Sequence, residues 1–255
     1  MHLPLRFISG HPSDILPDDV QIERGLLETM RGNRRGVPLW PYHRARLMRS
    51  HQVSNAVLDD ISHFLTRVSR FADGDLRLRL RIGFFCGEPH WDLQIEPLVT
   101  PPGLDDGVTL QLCETRLLCR ETANPGCKEL ARSRYNRAMA ELPRRDLLHD
   151  GLMLDERGRL VETLRCNLLL WLGDGWVTPD LTNCGVRGVM RDWLSERVPI
   201  REAALDRADL GSAEEVAVCN SVRGVLPVRA LDCMHKWAAG RQTAYLQNLV
   251  VEQLW

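Results

Sequence analysis

The chain holds 33 residues that are lysine or arginine, yet only Lys128 and Lys236 are lysines and the other 31 are arginines. Drift towards arginine replaces any lysine whose work is a surface charge. It does not replace one that must shed its proton and attack as an amine, because a guanidinium stays protonated. Lys236, between His235 and Trp237 in an expected turn, reads as a solvated surface lysine, so the candidate nucleophile is Lys128; a leftover lysine is the plain alternative. A second chemical pattern is Asp75 to Ile82, where Leu76, Leu78, Leu80 and Ile82 alternate with Arg77, Arg79 and Arg81. Such a strand buries one face and presents a cationic second face, which is either solvated or lines a site for a multiply charged anion. A third is Gly185-Val186-Arg187-Gly188 before a helix. A helix start offers amide donors and a favourable dipole to an anion, though most such turns only cap the helix.

Short strands and interspersed helices must position these residues. Apolar runs predict strands at Leu3 to Ile8, Leu26 to Met30, Gly151 to Leu154, Leu160 to Thr163, Asn167 to Leu172, Trp176 to Thr178, Glu215 to Cys219 and Val225 to Ala230. Helices are expected over His43 to Gln52, Leu58 to Phe71 and Lys128 to Leu142, with a further one opening at Gly188. Asn124-Pro125-Gly126 carries turn chemistry. These elements predict a mixed α+β (α/β) chain of two domains, a smaller one over residues 1–118 and a larger one over 128–255, joined through 119–127.

Composition narrows the class. The formal net charge is -1 with 44% hydrophobic residues, so there is no global positive field for nucleic acid or an anionic membrane. Met1 to Arg6 has neither a basic segment nor a continuous apolar stretch, which argues against a signal peptide or a membrane span and predicts a cytoplasmic protein. Eight cysteines form no C-x-x-C pair, and several sit in apolar runs, as Cys113 and Cys219 do. Buried free thiols in a reducing compartment are expected, rather than a metal centre or disulfides.

Three segments, in order, resemble the class IV (fold type IV) pyridoxal-phosphate aminotransferase family. Gly126-Cys127-Lys128-Glu129-Leu130, approached by Arg116 to Arg120, is similar to the segment carrying the Schiff-base lysine. Leu154 to Glu162, followed by Asn167-Leu168, is similar to the hairpin whose glutamate pairs with the pyridine nitrogen. Gly185 to Arg191 is similar to the phosphate-binding turn. Tyr42 to Leu47 resembles the family's helix bearing a phosphate arginine, here Arg46. Gly25 to Arg31 resembles its Phe-Glu-Thr strand, with Leu27 in place of phenylalanine. The stretch Cys219-Asn220-Ser221-Val222-Arg223-Gly224-Val225-Leu226-Pro227-Val228 is more similar to the 4-amino-4-deoxychorismate lyases of that family than to its aminotransferases, which carry a Gly-Thr pair there.

The resemblance implies a two-domain D-amino acid aminotransferase-like fold, pyridoxal 5'-phosphate as cofactor, a small-molecule substrate and a homodimer. Lys128 would hold the cofactor aldehyde and shuttle a proton. Glu162 would stabilise the pyridinium; Arg46, Val189, Met190, Asn220 and Ser221 would hold the phosphate. Thr29, Arg77, Arg79, Arg81 and Arg223 are the candidates for substrate, whose two carboxylates call for cations. The expected reaction is elimination of pyruvate to give 4-aminobenzoate for folate biosynthesis. The alternatives are a class IV aminotransferase for branched-chain or D-amino acids, and a non-catalytic relative. Gly83-Phe84-Phe85-Cys86-Gly87 departs from the family, which carries a glycine-rich Arg-Gly-Tyr segment there.

Overall fold

The computed structural model describes residues 5–100, 104, 106–118, 124, 126–232, 234–238 and 240–255. The chain divides into two compact units, Met1–Val99 with Cys127–Arg132, and Thr100–Gly126 with Ser133–Trp255.

The first unit is built on a five-stranded antiparallel sheet. Its strands are β1 (Leu5–Ile8), β2 (His11–Pro12), β3 (Glu23–Gly32), β4 (Leu76–Phe85) and β5 (Glu88–Pro97), in the spatial order β2-β1-β5-β4-β3. Helices α1 (Trp40–Met48) and α2 (Asn55–Ser69) lie between β3 and β4 in sequence. Pro41 sits in the first turn of α1, where a missing N–H costs nothing. The Ser54 hydroxyl accepts from Val57 N at 3.3 Å and caps α2. Leu58, Ile61, Phe64 and Leu65 of α2 pack with Leu26 and Met30 of β3, Leu78 and Leu80 of β4 and Leu93 and Ile95 of β5. Thus one face of the sheet is closed by helices, and alternation sends the arginines of β4 to the other.

The second unit holds a nine-stranded sheet. Its strands are β6 (Val108–Leu117), β7 (His149–Asp155), β8 (Leu160–Thr163), β9 (Asn167–Trp171), β10 (Trp176–Pro179), β11 (Ile200–Ala203), β12 (Glu215–Asn220), β13 (Gly224–Leu231) and β14 (His235–Lys236). The order is β11-β10-β9-β12-β13-β6-β7-β8, and β8 pairs back onto β9. Six strands, β9-β12-β13-β6-β7-β8, therefore close into a ring that leaves no free edge among them. Leu110, Leu152, Leu154, Leu168, Leu170, Val216, Val218, Leu226 and Val228 form its core. Closure is a single register pair, Glu162↔Asn167. Helix α3 (Ser133–Glu141) packs Ala138 against Cys113 and Met153, and α4 (Val189–Ser195), α5 (Arg207–Ser212) and α6 (Arg241–Leu254) complete the unit.

Two expectations need correction. The boundary falls earlier than 118, because β6 pairs in parallel with both β7 and β13 and belongs to the second sheet. Lys128 does not begin a helix. Residues 127–132 run along β3, with Leu27 N donating to Lys128 O at 2.8 Å and Leu130 N to Gly25 O at 2.7 Å, and the helix opens at Ser133. Burial of Cys127 and Leu130 draws this segment onto β3 and so into the first unit. Most of the expected 119–127 connection, with Cys119 and Arg120 of the approach segment, and Cys233 lie outside the described residues. Four cysteines are buried as expected, Cys113, Cys127, Cys166 and Cys219, whereas Cys86 is exposed and Cys184 half-buried. Lys236 is exposed on β14. No helix among the described residues is long and apolar enough to cross a membrane.

Candidate active site

In the first unit the lysine is aimed by a hydroxyl. Lys128 Nζ donates to Thr29 Oγ1 at 3.2 Å, and the backbone pairing of residues 128–130 with β3 fixes where that side chain starts. Thr29 lies opposite Arg79 across the β3–β4 pair, with Leu27 opposite Arg81 and Arg31 opposite Arg77. The half-buried lysine therefore meets the face that carries the arginines.

Each of the three β4 arginines is ion-paired. Arg77 pairs with Glu96 at 2.5 Å, and Arg79 with Asp19 at 2.7 Å. Arg81 meets Asp92 at 2.9 Å and Asp19 at 2.6 Å. Burial works against the Arg81 charge, but Asp92 and Asp19 raise its pKa overall. Burial likewise opposes the Asp19 carboxylate, and the hydrogen bonds and charges of Arg79 and Arg81 hold its pKa below the usual value.

On the helix-facing side of β3, Glu28 is 1% exposed and anchors α1. It accepts from Arg46 Nε at 2.8 Å, from Arg46 Nη2, and from His43 Nδ1 at 2.5 Å. Burial alone would push its carboxyl up, but the charges of Arg46 and His43 hold it down at about 2 against an ordinary 4.5. Burial lowers the pKa of His43, against the raising effect of the Glu28 carboxylate, and its Nε2 is buried without a hydrogen-bond partner. The expected phosphate arginine is thus held in a buried fork on a carboxylate. Cys127, next to the lysine, donates its thiol to Arg46 O at 3.3 Å, and burial raises its pKa.

In the second unit the expected glutamate sits at the point of barrel closure. Glu162 is 4% exposed and accepts from Tyr135 Oη at 2.5 Å, from Val186 N at 3.1 Å and from Asn167 Nδ2 at 3.4 Å. Asn167 Nδ2 also donates to Val186 O at 2.9 Å, which ties the β8–β9 hairpin to the 185–188 turn. The approach is close enough that a Cβ on Gly188 would lie 1.8 Å from Asn167 Oδ1. Gly185 has φ +87°, and a Cβ there would lie 2.7 Å from Val161 Cγ1. The buried Val189 and Met190 follow as the first residues of α4, with Gly188 as its cap. Just before the lysine segment, Gly126 bridges Val186 and accepts from Arg187 N at 3.0 Å.

The 220–223 turn is held by the Asn220 side chain. Asn220 Oδ1 accepts from Val222 N at 3.0 Å and Arg223 N at 2.8 Å, while Nδ2 meets Cys166 Sγ at 3.1 Å and Arg165 O at 3.5 Å. Both polar ends of that side chain are engaged in the turn, as in an Asx-turn. Ser221 and Arg223 are half-buried in the same turn. Tyr135 and Asn167 carry geometry that was not assigned to them from sequence. Tyr135 falls seven residues beyond Lys128 on α3, and Asn167 pairs with Glu162 only once the barrel closes.

A barrel presenting a buried glutamate beside a glycine-flanked helix start, in a chain whose other unit carries a lysine on a sheet face, defines the class. The chain belongs to the class IV aminotransferase family, whose pattern, described as amino-transferase class IV, matches residues 25–231. It is similar to the crystal structure of 4-amino-4-deoxychorismate lyase from Pseudomonas aeruginosa, at 33% identity and a TM-score of 0.84, covering 98% of this chain and 99% of that one. A curated aminodeoxychorismate lyase of Vibrio harveyi is 37% identical over 151 residues, which span 56% of this chain and about half, 55%, of that protein. The branched-chain amino acid aminotransferase of Escherichia coli shares the fold at a TM-score of 0.80 and 17% identity, covering 97% of this chain and 93% of that one. The mixed α+β architecture is accordingly that of fold type IV.

Proposed function

We propose that the chain is a pyridoxal 5'-phosphate enzyme that eliminates pyruvate from 4-amino-4-deoxychorismate and leaves 4-aminobenzoate, a folate precursor. The observation that carries this reading is the likeness to the Pseudomonas lyase over nearly the whole of both chains, joined to a lysine that is aimed by a threonine hydroxyl.

The donor set fits the cofactor. Lys128 is an amine held by a neutral hydroxyl donor–acceptor, suited to an aldehyde. Glu162 is a buried carboxylate fixed by three donors, suited to a protonated ring nitrogen. The turn of Gly185 and Gly188 excludes side chains and leads into the amides of Val189 and Met190, suited to a phosphate. Arg46 would add charge to the phosphate, and Ser221 a hydroxyl.

When bound, the cofactor supplies an electron sink for the carbon that carries the substrate amine. Lys128 takes the proton from that ring carbon, and Thr29 holds the amine in line before and after. Glu162 would stand at the ring nitrogen, with Tyr135 and Asn167 fixing its position. The carbon–oxygen bond to the enolpyruvyl group would then break, the ring would become aromatic, and the departing enolate would take the proton held by Lys128 to become pyruvate. Arginines of β4 and Arg223 would meet the two carboxylates. A cytoplasmic homodimer is the form we expect.

The test is pyruvate release from freshly generated 4-amino-4-deoxychorismate by cofactor-loaded protein without added keto acid. Equal amounts of pyruvate and 4-aminobenzoate support the lyase. Turnover that appears only with an amino donor and a keto acid supports the branched-chain or D-amino acid aminotransferase reading instead.

A further inference from the structure

The arginine face of the first unit is electrically complete by itself. Arg31 pairs with Asp75, Arg77 with Glu96, Arg81 with Asp92 and Arg79 with Asp19. A substrate that brings two carboxylates to this face must displace one of these partners.

They are not equally displaceable. Asp92 is 1% exposed, lies on the central strand β5 and is also bound by His90 Nε2 at 2.7 Å. Glu96 belongs to β5, and Asp75 leads directly into β4. Asp19 comes from outside the sheet, in the short 3-10 turn Asp19–Gln21, and its side chain is 46% exposed. It is also the carboxylate of this set that spans two arginines: both oxygens take Arg79 Nη2, at 2.7 and 3.0 Å, and one takes Arg81 Nη1 at 2.6 Å. Arg79 stands directly across the strand pair from Thr29, the residue that holds Lys128 Nζ. A carboxylate is thus already seated one cross-strand position from the reacting amine.

We infer that Asp19 is an internal stand-in for a substrate carboxylate, occupying a seat made by Arg79 and Arg81 that it must vacate when a dianionic substrate binds. This rests on the proposed reading in that the substrate is a dicarboxylate. Asp19 thereby sets specificity: a monoanion gains too little to displace it, while a dianion replaces its two-arginine grip and adds a second contact. The Arg79–Asp19 pair is open to solvent and such pairs are weak, so holding the seat closed weakens substrate binding only by about five- to tenfold.

The experiment is calorimetric binding of isophthalate to the cofactor-loaded protein, in wild type, Asp19→Asn, Asp19→Glu and Arg79→Gln. Isophthalate has two carboxylates and no amine, so it reads the seat whether or not the chain releases pyruvate. Asp19→Asn is expected to bind it about five- to tenfold tighter, Asp19→Glu at the wild-type level, and Arg79→Gln weaker. An unchanged or weaker affinity in Asp19→Asn overturns the inference. So does an equal gain in Asp19→Glu, because the gain would then come from the turn and not from its charge. Seat behaviour as expected, with no pyruvate released, would leave this inference standing and remove the lyase reading alone.

Discussion

Replacing Glu28 by glutamine tests the electrostatic anchor beneath the lysine strand. The carboxylate is 1% exposed and joined to Arg46 and His43, so no solvent screening discounts it. In the unfolded chain it titrates at the ordinary 4.5, and in the fold at about 2. A depressed folded pKa stabilises above the unfolded value, and that stability is lost as pH falls from 4.5 towards 2. The difference corresponds to roughly 3 kcal/mol at pH 7, of which about 2 kcal/mol is gone by pH 3. Glutamine cannot neutralise Arg46, and leaving a buried guanidinium without its anion costs about 3–5 kcal/mol. Urea unfolding of the apo proteins, followed by tryptophan fluorescence from pH 7 down to about pH 3, reads both quantities. Glu28→Gln should be less stable at neutral pH by about 3 kcal/mol or more, and the gap from wild type should narrow on acidification through 4.5. A gap that stays constant over that range would refute the assignment of Glu28 as the ionised anchor.

Two further outcomes follow from the second unit. Gly188→Ala places a methyl group where Asn167 Oδ1 now lies, and should cost about 2–3 kcal/mol in urea unfolding while weakening cofactor binding at least about tenfold in a fluorescence titration. Tyr135→Phe removes one donor from Glu162, and should lower kcat about tenfold with the cofactor still bound, read by steady-state kinetics beside the absorption spectrum.

Much of the candidate site is legible in residue types. The scarcity of lysine pointed to Lys128, and the strict alternation of β4 pointed to an arginine face, because both signals are local. Glu162 and the 185–188 turn were reached by resemblance, and in the structure they touch through Val186. The misplaced helix start at Lys128 has a tertiary cause, since β3 offers residues 127–132 backbone partners that helical spacing does not reveal. Strand β5 is hard to see in the sequence because its buried positions include His90 and Asp92, polar residues that are inside because Arg81 pairs with Asp92 and Asp92 with His90. The same partnership changes the meaning of the arginine face, which reads as bare cations in sequence and is a set of ion pairs in the fold. The Tyr135–Glu162 contact joins residues 27 apart and exists only once the barrel has closed.

The central claim is that Lys128 holds the cofactor, and a chain with only two lysines allows it to be tested cleanly. The protein is loaded with pyridoxal 5'-phosphate, reduced with borohydride, digested and mapped by mass spectrometry. A phosphopyridoxyl group on the Lys128 peptide, at close to one per chain and absent from Lys236, is the result the account predicts. Label on Lys236 alone, equal label on both, or none on either would contradict it.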